Sequence, residues 1–106
     1  MERTALISVL ASVHVKPGRL SDLLREFEAN VGHVLAEKGC IEYYAAVDIE
    51  TGIGVQVLDP DLVTVIEKWE SLEALRAHLA APHMATYRDK DKDIVDRVTL
   101  KILRAP

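Results

Sequence analysis

The chain of 106 residues lacks most of the features that mark specialised protein classes. Its single cysteine, Cys40, excludes a disulfide within the chain and fits a reducing compartment. No apolar run is long enough to cross a bilayer. Because Met1-Glu2-Arg3-Thr4 leads straight into the first strand-like run, no signal peptide is expected. A cytoplasmic protein with no membrane partner is expected. There is no basic stripe either, and with a net charge of −4 nucleic acid is not an expected partner. Gly52-x-Gly54 is too short for a phosphate loop, and the chain is too small for a dinucleotide fold. No serine has a nucleophile-elbow context. His78 and His83 flank Pro82 and miss the i, i+4 spacing of two ligands on one helical face, so no metal site is expected.

What is present reads as one globular domain over residues 1–106. The composition is 49% hydrophobic and 28% charged, which separates the chain from disordered sequences. The longest charged run, Arg88 to Asp93, alternates in sign and reads as a solvated surface. A domain this small has a modest core, and self-association would bury more of its surface.

Ala5 to Val15 is β-rich, with Ile7, Val9, Ala11, Val13 and Val15 on one face. The other face, Leu6, Ser8, Leu10, Ser12 and His14, is mixed, which suits a strand covered on both sides. Lys16-Pro17-Gly18 breaks the strand, and Leu20, Leu24, Phe27, Val31 and Val34 then recur at helical spacing. This predicts a helix over Pro17 to Lys38, with Gly39 as its C-terminal cap. Cys40 to Ile49 is the second strand, and Ile53 to Leu58 is a possible extension of the hairpin. Leu62 to Trp69 is the third strand. Ser71 is the expected N-cap of a second helix with Leu72, Leu75 and Leu79 on its buried stripe. Pro82 stops that helix, a short helical turn spans His83 to Lys90, and Ile94 to Leu103 is the last strand. The order β-α-β-β-α-β predicts an α+β, ferredoxin-like antiparallel sheet with both helices on one face. The apolar residues of the bare face predict a homodimer packed sheet to sheet.

Functional side chains concentrate between Glu67 and His83. Trp69 is the only tryptophan, and His78 sits at the edge of the buried stripe of the second helix. An imidazole there faces a cavity between helix and sheet that Trp69 or Tyr44 would floor. Plainer readings stand beside these: Trp69 as a core residue, His78 as a histidine bonded to a backbone carbonyl, and His83 as a surface or capping residue. Cys40 reads as a small buried hydrophobe.

These residues carry a resemblance. Gly39-Cys40-Ile41-Glu42-Tyr43 is similar to the Gly-Cys-x-x-Tyr start of strand 2 in the antibiotic biosynthesis monooxygenase domain family. Glu67-x-Trp69-x-Ser71-x-x-Ala74-Leu75-x-x-His78 resembles that family's second signature, Ala81-Pro82-His83 its continuation, and Lys16-Pro17-Gly18 its first-helix start. The resemblance implies a dimeric α+β barrel with a pocket in each subunit. It further implies a quinol-monooxygenase-like oxidation of a quinol, phenol or polyketide-like aromatic by molecular oxygen, with no metal, haem or flavin cofactor. By the same resemblance His78 is the acid/base group, Trp69 and Tyr44 are pocket walls, and Asn30 and His83 orient the substrate. The haem-degrading branch of the family places an Asn on strand 1 where Ala11 stands here, which argues against haem degradation. The Glu50 to Asp61 connection is longer than is common in the family. The alternative function is a non-catalytic small-ligand-binding or stress-response protein on the same fold.

Overall fold

A computed structural model describes residues 5–106; the reading of Met1 to Thr4 lies outside the described residues. The elements run β1 (Ile7–Val15), α1 (Leu20–Leu35), β2 (Cys40–Val47), β3 (Leu62–Trp69), α2 (Leu72–Leu79), α3 (Pro82–Asp91) and β4 (Val95–Leu103). The four strands form one antiparallel sheet in the order β2-β3-β1-β4. This is the expected α+β, ferredoxin-like architecture, with a third helix added.

Period-2 alternation sets the two faces of the sheet. Ile7, Val9, Ala11, Val13 and Val15 are buried, as are Val63, Val65, Glu67 and Trp69. The helices close over this inner face, where Leu23, Phe27 and Val34 of α1 and Leu75 of α2 complete the core. Val98, Leu100 and Ile102 lie opposite Val13, Ala11 and Val9 and so share the inner face, but each is 44–51% exposed. The helices therefore leave the β4 side of that face open.

Some expected boundaries move. The first helix starts at Leu20 rather than Pro17, because Gly18 adopts a left-handed backbone (φ 79) and its N–H is tied to the Asp61 carboxylate. It ends at Leu35 rather than Lys38, where a turn closed by Cys40 N–H to Glu37 O takes over. Ile53 to Leu58 forms no strand. The β2-β3 ladder stops at Val47 and Val63, so these β-branched residues have no partner to pair with. The connection holds itself with side-chain turns, among them Gly52 N–H to Glu50 Oε1 and Asp59 N–H to Asp48 Oδ2. Pro82 not only ends α2 but opens α3, where a proline at the first position costs no hydrogen bond.

The turn before β2 fixes how α2 sits. Gly39 has φ 86, and its carbonyl accepts from Glu70 N–H at 2.8 Å. A Cβ at Gly39 would lie 2.6 Å from the Ala74 methyl on α2. Ser71 anchors the same helix, its hydroxyl accepting from Ala74 N–H at 3.1 Å. Gly39→Ala combines a strained backbone with a clash and is expected to cost about 2–4 kcal/mol of stability. Urea denaturation reads this directly; an unmoved midpoint at unchanged slope would refute the close approach.

Candidate active site

Between the inner face of the sheet and the helices lies a cavity of about 400 Å³, a size suited to a small aromatic ligand. Its walls are mainly apolar and aromatic, including Ala11, Val13, Phe27, Tyr43, Val65, Met84 and Leu100. Phe27 and Tyr43 stack with ring centroids 5.2 Å apart. Its polar groups include those of Glu67, His78, Arg88, Asp91 and Lys92.

α2 carries His78 over the indole of Trp69, with ring centroids 4.6 Å apart, while Tyr43 meets it edge-on at 5.5 Å. His78 is 1% exposed. Its Nδ1 lies 2.7 Å from Glu37 Oε2, so Nδ1–H donates to the carboxylate and the Nε2 lone pair is left free. Burial pushes the imidazole below its usual value, and the nearby His83 and Arg88 act in the same direction; the Glu37 hydrogen bond and charge oppose them. The net result is a neutral imidazole near pH 7, the form that accepts a proton.

Glu67 is the second buried ionisable group. Its Oε1 accepts the Trp69 indole N–H at 3.0 Å. Burial pushes its carboxyl up to about 7, the Trp69 hydrogen bond opposes this, and the Glu37 charge adds to it. Burial also raises the phenol of Tyr43 and the carboxyl of Asp91.

The residues singled out in the sequence separate into three places. His78 lines the cavity. Trp69 is fully buried and does not line it; it supports His78 from below and holds Glu67 by its N–H. Tyr44 is placed on the opposite face of the sheet, opposite Ile66 and 49% exposed, so it cannot floor the cavity; strand alternation gives that position to Tyr43. Asn30 and His83 line a separate polar cleft of about 150 Å³ rather than the cavity, and the Asn30 amide meets the Met84 sulfur at 3.3 Å. His83 Nε2 lies 3.2 Å from the same Glu37 oxygen that holds His78.

Sequence reasoning passed over Glu37, Glu67 and Tyr43 as site residues. Glu67 was detectable, because it falls on the same strand face as Val63, Val65 and Trp69. Glu37 carried no local signal: it meets His78 across 41 positions of sequence. Among the described residues, no group of three or more His, Cys, Asp or Glu is arranged to hold a metal ion. No described helix is long and apolar enough to cross a membrane.

The buried Glu67 makes stability depend on pH. Its folded-state value, about 7, lies above its unfolded value of 4.5. Below pH 4.5 the group is protonated in both states, and its burial penalty is absent. As pH rises from 4.5 through about 7, the unfolded chain ionises first and stability falls. Relative to Glu67→Gln, the wild type is therefore expected to lose stability across that window, by roughly 3 kcal/mol at most. Parallel urea titrations at pH 5 and pH 8 measure the difference, and a gap that is the same at both values would contradict the assignment.

Comparison with known proteins agrees with this architecture. A probable quinol monooxygenase, YgiN, of Escherichia coli strain K12 is 36% identical over 101 residues, which is 93% of this chain and 97% of that protein. A conserved protein from Methanosarcina mazei Go1 superposes with a TM-score of 0.83 at 22% identity, covering 98% of this chain and 96% of that one. PA3566 from Pseudomonas aeruginosa superposes with a TM-score of 0.80 at 24% identity, covering 100% and 99%. The family model described as antibiotic biosynthesis monooxygenase matches residues 6–90, a span that holds Glu37, Glu67, Trp69, His78 and His83, and the chain belongs to that family.

Proposed function

We propose that this chain is a monooxygenase that oxidises a small quinol or electron-rich phenol with molecular oxygen, without a metal, haem or flavin. The observation that carries this reading is His78: a neutral imidazole, held at Nδ1 by Glu37, on the wall of a cavity lined by aromatic and aliphatic side chains. Family membership supports it, as does the name of the Escherichia coli relative.

The substrate supplies the electrons. His78 Nε2 takes a phenolic proton, and the anion becomes rich enough in electrons to react with oxygen at a ring carbon. A carbon–oxygen bond forms and gives a peroxide. Protonation of its outer oxygen, with loss of the proton on the attacked carbon, breaks the O–O bond and releases water. A quinol and one oxygen molecule thus become a hydroxylated quinone and one water. The chain's share is to bind the ring, exclude bulk water and move the proton. At the strand-1 position used by the haem-degrading branch, Ala11 offers only a methyl to the cavity, which supports a small aromatic over haem.

Oxygen uptake with reduced benzoquinones and naphthoquinones tests the reading. Turnover above autoxidation is expected, with His78→Ala lowering kcat by about 10²–10⁴-fold. Full activity in that variant would remove His78 as the base. Ligand-induced thermal stabilisation without any oxygen uptake would instead favour a binding protein.

We also propose that the helix-free face of the sheet pairs with a second copy. It presents Leu10 at 37% exposure and Tyr44 at 49%, flanked by Ile66. Light scattering should give about twice the 11.8 kDa chain mass, and Leu10→Glu should shift it toward the monomer. A concentration-independent monomer of the wild type would defeat the pairing.

A further inference from the structure

The reaction needs a proton to be removed early and returned late. Between those steps oxygen must attack an anion, and a His78 imidazolium beside that anion readily gives its Nε2 proton back, whereas a neutral imidazole holds it far more tightly. The hydrogen-bonded side of His78 offers another place for charge. Its Nδ1 is 2.7 Å from Glu37 Oε2, and that same oxygen is 3.2 Å from His83 Nε2. Three ionisable groups from three different segments thus meet at one oxygen atom. Glu37 comes from the turn after α1, His78 from α2 and His83 from the first turn of α3.

His83 is unusual in this setting. Neither of its ring nitrogens makes a hydrogen bond, although both are closed to solvent. The 3.2 Å approach to Glu37 is an ion-pair distance that lies off the line of a hydrogen bond. A buried polar atom without a partner calls for an explanation. A neutral His83 in its Nδ1–H tautomer has its Nε2 lone pair free beside a carboxylate, and so has a vacancy for a proton. Its ring leans on His33 with centroids 5.7 Å apart, and both line the polar cleft beyond the cavity wall.

We propose that His78, Glu37 and His83 form a proton store for the cavity, with Glu37 as the bridge and His83 as the site where the proton waits. This rests on the reading of His78 as the base. The substrate O–H bond breaks and an N–H bond forms at His78 Nε2. The Nδ1 proton of His78 passes to Glu37 Oε2, and His83 Nε2 takes it from there. The stored state is a neutral His78 carrying Nε2–H, a Glu37 carboxylate and a His83 imidazolium paired with it. No electrons move in the store. When the peroxide forms, Nε2–H protonates it, the waiting proton returns through Glu37 to Nδ1, and all three groups regain their starting forms. Closure of both His83 nitrogens to solvent keeps the proton from leaking to water. Neither Glu37 nor His83 lines the cavity, so they act as positioning and proton-holding residues rather than catalytic ones.

The test uses histidine labelled with nitrogen-15 in the full chain, and 4-nitrophenol as the probe. That phenol ionises near neutral pH and is too electron-poor to react with oxygen. On binding, the expected spectra show His83 protonated on both nitrogens and His78 changed from the Nδ1–H to the Nε2–H tautomer. In Glu37→Gln the His83 change should vanish. A doubly protonated His78 beside an unchanged His83 would overturn the store and leave His78 standing as the base. With the probe bound, two unchanged rings would overturn both readings. In turnover, His83→Phe keeps a ring against His33 and should lower kcat about tenfold with KM unchanged; an unaltered kcat would also overturn the store.

Discussion

The site depends on one short contact, the 2.7 Å hydrogen bond between the Glu37 carboxylate and His78 Nδ1. An imidazole that is 1% exposed needs a partner, and a carboxylate next to it needs donors. Each answers the other only if the turn after α1 and the helix after β3 are brought together. Gly39 makes that possible by bending with φ 86 and leaving room for the Ala74 methyl. Trp69 then fixes the depth of the ring from below. The fold delivers an imidazole of defined tautomer because a backbone turn, a small residue and an indole all meet at the same point.

Around that contact the buried Glu67 and the half-buried Glu37 have different environments. Glu67 bonds only to an indole N–H, so burial dominates and holds its carboxyl at about 7. Glu37 faces two imidazoles at hydrogen-bonding and ion-pair distances.

Much of the frame was legible in the sequence because its causes are local. Alternation in Ile7–Val15 and Leu62–Trp69 gave the inner face of the sheet, and Ser71 marked the start of α2. The rest depends on partners far along the chain. Two adjacent tyrosines must point to opposite faces, and the weak alternation of β2 does not say which points inward. The ladder decides it, setting Tyr43 opposite Glu67 and Tyr44 opposite Ile66, after a register irregularity between Cys40 and Glu42. Asn30 and His83 look like pocket residues on polarity alone, yet α1 and α3 direct them toward the outer cleft between those helices. The β-branched run Ile53 to Leu58 shows the converse: strand propensity without a neighbouring strand yields irregular chain.

The start of β2 has a chemical consequence of its own. Cys40 is the chain's only thiol, and partial burial, with the Glu37 and Glu67 charges nearby, pushes it up to about 11. Thiolates, not thiols, are the nucleophiles, so at neutral pH this sulfur is almost wholly in its unreactive form. Quinones are electrophiles that alkylate thiolates. Burial first, and the two carboxylates after it, thereby keep this sulfur in the form least reactive toward a quinone, the kind of product proposed for the chain.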